Sequence, residues 1–324
     1  TGVQTCALPI WDFLKKKLIF LILMTYLCGI LSGCVKMSNK MTLRLKKGEA
    51  FRMQIDGTRS FKGPSNEAIE LKSREAFLCN VNDVNDAKDM EIKVTIDSVD
   101  VDIKGKDYLK KYLSDTGIFL DGDKSVYSKF LGKSFKVKLT ENGKVEKVMG
   151  IDDIGNAILK EEQDPKKKEL IKSFIKKEFS EEVLQEKIQR IIGFYSDKKV
   201  EVGDEWSKTN KVLVSAPIDV DEKYTLKERK EGTTDIVVNG EIKKRESSEI
   251  IKVDDIEISY EDIKGKEKGT ITIGQENKMI KTEELDSEYK GKIKIMFKDP
   301  NKGAEYVPIS AKEKINIKDR KSVV

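Results

Sequence analysis

The chain has 324 residues, of which 37% are charged, and its formal net charge at pH 7 is only +5. Because positive and negative charges are interspersed and nearly balanced, the composition argues against nucleic-acid binding, which requires a basic face. Histidine is absent, so the commonest general base and transition-metal ligand is missing. Catalytic sites of the Ser-His-Asp or Cys-His kind are therefore excluded.

Both ends of the chain contain short segments that we leave out of the fold prediction. Residues 1–10, TGVQTCALPI, carry no helix or strand pattern and resemble a translated sequencing adapter. Residues 319–324 resemble a similar remnant. Such segments are excluded because they reflect processing or cloning rather than the fold.

Residues 15–34 contain three lysines followed by a run of mostly apolar residues that ends at Leu31. An apolar core of about 7–15 residues behind a basic flank is typical of a signal peptide, whereas a membrane span needs roughly 20. The run closes on Leu31, Ser32, Gly33 and Cys34, which resemble the lipobox of bacterial lipoproteins. We therefore predict a lipoprotein signal peptide at residues 11–33 and lipidation of Cys34. The mature protein would then lie outside the cytoplasm, anchored to a bacterial membrane by diacylglycerol.

Cysteine usage excludes an internal disulfide in the predicted mature protein. Cys6 lies in the adapter-like segment, Cys28 in the signal core, and Cys34 would carry the lipid. Only Cys79 remains, and one cysteine cannot form an internal bridge. We expect Cys79 to be a buried, small apolar residue rather than a reactive thiol.

After a short tether at residues 34–41, the chain enters strand patterns. Apolar residues alternate with polar ones at residues 51–55 and again at residues 92–96. The second alternation then changes phase for residues 99–103. Because a shift of one residue would turn the apolar side chains to the other face, we predict a β-bulge near Asp97.

The middle of the chain predicts a hairpin and then helices. Asn142-Gly143 lies between two strand-like runs and is a strong signal for a tight hairpin turn. Asp164 followed by Pro165 is typical of a helix start. Apolar residues then recur at helical spacing, so we predict amphipathic helices from Pro165 to Phe194, within a helical insertion at about residues 152–194 that packs on a sheet. A lid or a partner-binding face is the alternative role for this segment.

From residue 199 onward the chain returns to strand patterns, with alternation at residues 256–260, 271–273 and 293–297. We therefore predict an N-terminal β lobe at residues 42–198 and a C-terminal β lobe at residues 199–318. The expected fold class is mainly β (α+β), with two curved antiparallel sheets or half-barrels and the amphipathic helical insertion between them.

Three segments resemble a family of bacterial lipoproteins and secreted proteins that is known only as a domain of unknown function. They are LRLKKGE at residues 43–49, the hairpin ending at residue 150, and KVEVGDEW at residues 199–206. The resemblance implies a β-rich envelope protein and carries over no catalytic residues. Gly203 can form a turn, and Trp206 is expected to bury its ring at the start of a strand.

These observations predict a lipid-anchored envelope protein without enzymatic activity, cofactor or metal, which acts as a binding or scaffold module at the membrane surface. Its expected partners are the membrane, through the lipid, and either another envelope protein or an apolar ligand, but no nucleic acid. One alternative is a carrier with an apolar cavity lined by isoleucines such as Ile271 and Ile273. Another is a cell-wall hydrolase, which would need two carboxylates about 5–10 Å apart in a cleft. A filled core with neither feature would favour the scaffold.

Overall fold

A computed structural model describes seven segments of the chain, namely residues 39–62, 68–105, 127–213, 217–246, 251–253, 256–297 and 303–320. The predicted lipobox residues Leu31, Ser32, Gly33 and Cys34 lie outside these segments. Asn39–Val324 forms one compact unit. No helix among the described residues is long and apolar enough to cross a bilayer.

The described residues form strands over most of their length, with helices only in the middle of the chain. The strands are β1 (Asn39–Lys40), β2 (Ala50–Lys62), β3 (Ala68–Val84), β4 (Met90–Lys104), β5 (Ser134–Leu139), β6 (Val145–Met149), β7 (Lys199–Val200), β8 (Glu205–Leu213), β9 (Pro217–Lys230), β10 (Thr233–Lys244), β11 (Ile251–Val253), β12 (Ile256–Gly274), β13 (Ile280–Phe297) and β14 (Ala304–Arg320). The helices are α1 (Ile151–Glu161), α2 (Pro165–Phe174), a π-helical segment (Ile175–Phe179) and α3 (Glu181–Ile192).

One large antiparallel sheet contains all strands except β1 and β7, which pair with each other. Its order is β6-β5-β4-β3-β2-β14-β13-β12-β10-β9-β8, with β11 added beside part of β12. The expectation of two separate sheets is therefore wrong. The two halves of the chain join where β2 pairs with β14, for example at Ile55 opposite Ile317. Since these strands are far apart in sequence, no local pattern signals their pairing.

The sheet remains open, because β6 and β8 are its two ends and do not pair with each other among the described residues. Strand β14 extends to Arg320, opposite Arg52 of β2. Two of the residues assigned from the sequence to a C-terminal remnant therefore take part in the sheet.

The predicted β-bulge near Asp97 is confirmed. Ala76 pairs with Ser98, but the next residue of β3, Phe77, pairs with Ile96, which leaves Asp97 as the extra residue of β4. Ile96 is fully buried, and Val99 also packs against the core. The bulge thus keeps the apolar residues of both halves of β4 on the same face, as the phase change in the sequence required.

The predicted Asn-Gly hairpin joins β5 to β6, and its glycine is required for two reasons. Gly143 has a positive φ of 75°, which favours glycine. A β-carbon at Gly143 would also clash with the carbonyl oxygen of Ile192 at the end of α3. The hairpin therefore packs directly on the C-terminal end of α3.

The predicted helices are present and begin as their capping residues indicate. The carboxylate of Asp164 accepts a hydrogen bond from Lys166 N at 2.8 Å, and Pro165 is the first residue of α2. The hydroxyl of Ser180 accepts from Val183 N at 3.3 Å and caps α3. Their apolar side chains join the core on the sheet, among them Ile171, Phe174, Phe179, Leu184 and Ile192.

Candidate functional site

A row of mostly polar residues crosses the core-facing side of six neighbouring strands. We call it the polar belt, and its members are Arg59 (β2), Glu313 (β14), Ser287 (β13), Glu267 (β12), Gly240 (β10) and Glu222 (β9). Each of these residues is the direct partner of the next in the strand register. Because alternate residues of a strand share one face, this register brings their side chains together. All members except Arg59 are buried.

Gly240 allows the two glutamates beside it to approach each other. A β-carbon at Gly240 would lie 3.1 Å from Cβ of Glu267 and 2.9 Å from Cγ1 of Val220, closer than side chains normally pack. Without that β-carbon, Glu222 and Glu267 form a hydrogen bond across β10. The belt therefore depends on a residue that contributes no polar group.

Glu222 is held in its protonated form. The pKa of Glu222 is raised to about 8, first by burial, then by the negative charge of Glu267 and by the hydrogen bond between the two side chains. Asn210 Nδ2 donates to Glu222 Oε2 at 2.6 Å, and the hydroxyl of Tyr224 donates to the same oxygen. At neutral pH, Glu222 therefore carries a proton.

Helix α3 contributes a cation to the belt through Arg190, whose side chain is 9% exposed. Arg190 Nη2 donates to Glu267 Oε2 at 2.5 Å, and Nη1 lies 3.9 Å from Glu313 Oε2. Burial opposes the charged form, but the surrounding carboxylates, Glu267 first, outweigh it and raise the pKa of Arg190. Ser287 Oγ also donates to Glu267 Oε2, at 2.5 Å.

The remaining two buried glutamates have opposite protonation. Burial alone would raise the pKa of Glu313, but the charges of Arg59 and Arg190 outweigh it and lower that pKa. Arg59 Nε donates to Glu313 Oε1 at 2.6 Å. Glu283, four residues from Ser287 along β13, is fully buried, and burial followed by the charge of Glu222 raises its pKa well above the usual value. The two arginines thus favour the charged form of Glu313, whereas burial favours the neutral form of Glu283.

Carboxyl groups of unequal pKa are a pattern of acid–base catalysts, but these are enclosed. Glu222 and Glu267 are only 2% and 3% exposed. In the described segments, no three potential ligands from aspartate, glutamate and cysteine lie close enough together to hold a metal ion. The carboxyl groups of Glu222 and Glu267 are therefore shielded from solvent.

The interior of the described structure is filled on both sides of the belt. Ile271 and Ile273 are 2% and 0% exposed and belong to the main core, between the sheet and the helices. A smaller cluster on the other side contains Val212, Ile218, Val220, Ile242, Ile263, Tyr289 and Ala311. One interior gap, bounded in part by Phe51 and Ile192, has a volume of about 10 Å³, which holds one water molecule at most.

A groove of about 850 Å³ lies on the opposite face of the sheet, at the level of the belt. We call it the outer groove, and two rows of exposed or half-buried side chains line it, one on each side of the belt positions. The first row is Thr58, Lys314, Asp286, Lys268, Asn239 and Lys223, and the second is Ser60, Lys312, Glu288, Lys266, Glu241 and Asp221. Its volume falls within the range of ordinary ligand sites, about 300–1,000 Å³.

The charges of the outer groove form columns of alternating sign. β14 and β12 each contribute two lysines, and β13 between them contributes Asp286 and Glu288. Since neighbouring strands lie about 4.8 Å apart, the two lysine columns are separated by roughly 10 Å. Lys266, Lys268 and Lys314 form no ion pair with another described residue. They are therefore free to bind anionic groups of a partner.

A family model matches residues 87–280, more than half of the chain, and its description is a family of unknown function, DUF6263. The chain belongs to this family. No curated protein matches it. Among solved structures, the chain is similar to an outer membrane channel from Pseudomonas putida F1, with 8% identity over 86% of this chain and 97% of that chain. The TM-score of that comparison is 0.21, which is too low to carry any argument about this DUF6263 member.

Of two residues singled out from the sequence, Cys79 is buried as expected, whereas Trp206 is only half-buried and packs against the edge of the core. Cys79 is 4% exposed in the main core, and burial raises the pKa of its thiol to about 12, so it is an inert core residue. Trp206 lies at the start of β8, stacks on Tyr224 and donates from Nε1 to the carbonyl of Phe194 at 2.6 Å. Trp206 thus fixes the segment that follows α3 to the sheet.

The polar belt was missed by sequence reasoning, although one signal for it was visible. Every second residue of β9 is buried, and Glu222 is one of these buried residues. The others around it are apolar or aromatic, namely Ile218, Val220, Tyr224 and Leu226. A charged residue in a buried phase indicates a partner that satisfies it. The sequence does not say which residue that partner is, because Glu267 and Arg190 come from distant segments.

Proposed function

We propose that this DUF6263 member is a lipid-anchored envelope protein that binds another envelope protein in its outer groove. The observation that carries the proposal is the contrast between the two faces of the sheet. The core-facing side is filled, whereas the outer face offers an open groove with uncompensated lysines. The lipid anchor rests on the lipobox-like residues Leu31 to Cys34.

The two alternative functions receive less support from the same geometry. A carrier needs interior space, yet Ile271 and Ile273 are packed in the core and the interior gap holds no more than one water. A carboxylate hydrolase needs a cleft, yet Glu222 and Glu267 are enclosed. A filled core without a catalytic cleft is the arrangement that favours a binding or scaffold module.

The charge pattern of the groove favours an extended polypeptide as the partner. Columns of lysine and carboxylate alternate across the strands, so the complementary surface must also alternate in sign. A polypeptide with acidic and basic side chains can provide this alternation, whereas a uniformly charged polymer would meet repulsion at every second column. Hydroxyl and amide groups at Thr58, Ser60 and Asn239 add hydrogen-bonding capacity.

The groove is tested by photo-crosslinking in living cells that produce the lipidated protein. A photoreactive residue at position 239, in the groove, should give a discrete, protease-sensitive adduct, and one at position 93 on the exposed outer face of β4 should not. Lys268→Glu combined with Lys314→Glu should abolish the adduct, because it reverses the free lysines. The matched control is Lys93→Glu with Lys138→Glu, on strands outside the groove. An adduct that survives the groove charge reversal, or that resists protease, would contradict the proposal.

The anchor is tested separately by metabolic labelling with a fatty-acid analogue. We expect the wild type to be labelled and Cys34→Ala to lose the label, because only the thiol of Cys34 can accept the diacylglycerol. Cys28→Ala, in the signal core, should keep it. The measurement is in-gel detection of the labelled protein, and equal labelling of wild type and Cys34→Ala would contradict lipidation at this residue.

A further inference from the structure

We propose that helix α3 is a releasable closure of the open sheet, held in place by the contact of Arg190 with Glu267 and Glu313. The sheet ends at β6 and β8, and α3 packs against both of these edges. Release of α3 would separate the two edges and expose the apolar core-facing side of the sheet. The outer groove lies on the other face of the sheet, although Gly240, Glu267, Ser287 and Glu313 of the belt also border it.

At the edge strand β6, two glutamine side chains of α3 form backbone hydrogen bonds that a neighbouring strand would otherwise form. Gln189 Oε1 accepts from Val145 N at 2.8 Å, and Gln185 Nε2 donates to Val145 O at 3.3 Å. Gln189 Nε2 also donates to Gly143 O at 3.2 Å. These bonds satisfy the free backbone groups of an edge strand, but they involve flexible side chains that can break without disrupting a strand ladder.

Toward the other edge, α3 is held through charged side chains. Glu186 of α3 accepts from Arg245 Nη2 at 2.9 Å and Nη1 at 3.1 Å. Arg245 also donates from Nε to Asp219 of β9 at 3.3 Å. Together with Arg190 on the belt, these contacts are ionic or side-chain hydrogen bonds rather than backbone pairing. Besides the apolar side chains that α3 buries in the core, among them Leu184 and Ile192, its attachment therefore depends on the charge of the groups it faces.

The carboxyl groups that act on Arg190 come from four strands, and they are Glu267 on β12, Glu313 on β14, Glu222 on β9 and Glu283 on β13. Tyr224 on β9 and Glu267 face Glu222, Arg59 on β2 and Lys187 on α3 act on Glu313, and Glu283 acts on Tyr195 after α3. While Glu222 carries its proton, it adds no negative charge beside Glu267. Loss of that proton places two carboxylates side by side in a buried site, which is unfavourable unless water enters.

Opening of α3 should therefore increase with pH through the range in which Glu222 ionises. In the open state Glu222 is hydrated and ionises near its usual value, whereas in the closed state its pKa is about 8. Between these values the open-to-closed ratio rises by up to about tenfold for each pH unit. Above pH 8 both states are ionised at this group, and the ratio becomes constant.

The experiment is amide hydrogen exchange on the folded protein at pH 6, 7, 8 and 9, corrected for the chemical exchange rate at each pH. We expect corrected exchange in α3 and β6 to rise with pH and, at every pH, to be much faster than exchange in the central strand β13, which exchanges only through global unfolding. Glu222→Gln should remove the rise, because glutamine keeps the hydrogen bonds and cannot ionise. Glu241→Gln, on the exposed face of β10, is the matched control and should keep the rise.

Three outcomes would overturn the closure. One is exchange in α3 that does not change with pH in the wild type. Another is corrected exchange in α3 that is as slow as that in β13 at every pH, which would mean that α3 exchanges only through global unfolding. Both comparisons use the wild type and need no variant to fold. The third is a rise in Glu222→Gln equal to that of the wild type.

Discussion

Replacement of Arg190 by methionine is expected to lower the free energy of unfolding by about 3–5 kcal/mol, the usual cost of leaving a buried charge without its partner. Methionine keeps most of the apolar stem but removes the guanidinium that contacts Glu267 and Glu313. Glu267 would then be left without an ion pair to any other residue that the structure describes. The measurement is urea unfolding at pH 7.

Arg52→Met is the control for this prediction. Arg52 also forms an ion pair, at 2.5 Å to Asp97, but both side chains are about 30% exposed, and pairs of this kind contribute roughly 1 kcal/mol or less. If both variants lose the same stability, burial of the Arg190 contact does not have the effect that we infer. A second test combines Arg190→Met with Glu267→Gln, which should recover part of the loss because one of the uncompensated charges is removed as well.

The parts of the fold that the sequence predicts are those whose cause is local. Asp164 and Pro165 mark the start of α2 because capping involves residues two or three positions apart. Gly143 marks the β5–β6 turn because its positive φ is a property of that residue. The bulge at Asp97 is visible because a change of apolar phase within β4 must be compensated in the same strand.

The parts that the sequence does not predict depend on pairing between distant segments. The strand patterns indicate two sheets, but the pairing of β2 with β14 joins them into one. The alternation of apolar and polar residues within a strand does not depend on which strand lies beside it, so the sequence does not reveal this pairing. The polar belt has the same origin. The sequence shows that Glu222 is a charged residue at a buried position of β9. It does not show the partner of Glu222, because Glu267 is brought beside it by the register of β9, β10 and β12. The residues of the outer groove likewise appear in the sequence only as polar residues on the solvent-exposed face of each strand.

The stability of the whole domain is expected to fall as the pH rises from about 5 to 8. Glu222 has a folded pKa of about 8, raised by burial and by Glu267, whereas the ordinary pKa of a glutamate side chain is 4.5. A group whose pKa is higher in the folded state than in the unfolded state binds more protons in the folded state. Its stabilising contribution to the free energy of unfolding is therefore complete below the pKa of the unfolded state, and it is lost as the pH rises to the pKa of the folded state. Glu283 acts in the same direction, because burial raises its pKa as well.

The size of this effect follows from proton linkage. One extra bound proton corresponds to about 1.4 kcal/mol of unfolding free energy for each pH unit, so the loss across the window amounts to several kcal/mol. The lowered carboxyl pKa values, such as that of Glu313, give the opposite slope, but they act below the ordinary carboxyl range and therefore outside this window. The expected curve thus has its maximum near pH 5.

The measurement is urea unfolding at intervals of one pH unit from 5 to 9, on the wild type and on two variants. Glu222→Gln should reduce the slope between pH 5 and 8 and should be more stable than the wild type at pH 9, since it carries no buried charge to ionise. Glu241→Gln, on the exposed face of β10 beside Gly240, should reproduce the wild-type slope. Should Glu222→Gln retain the full wild-type slope, the proton of the polar belt would not be the group that links this fold to pH.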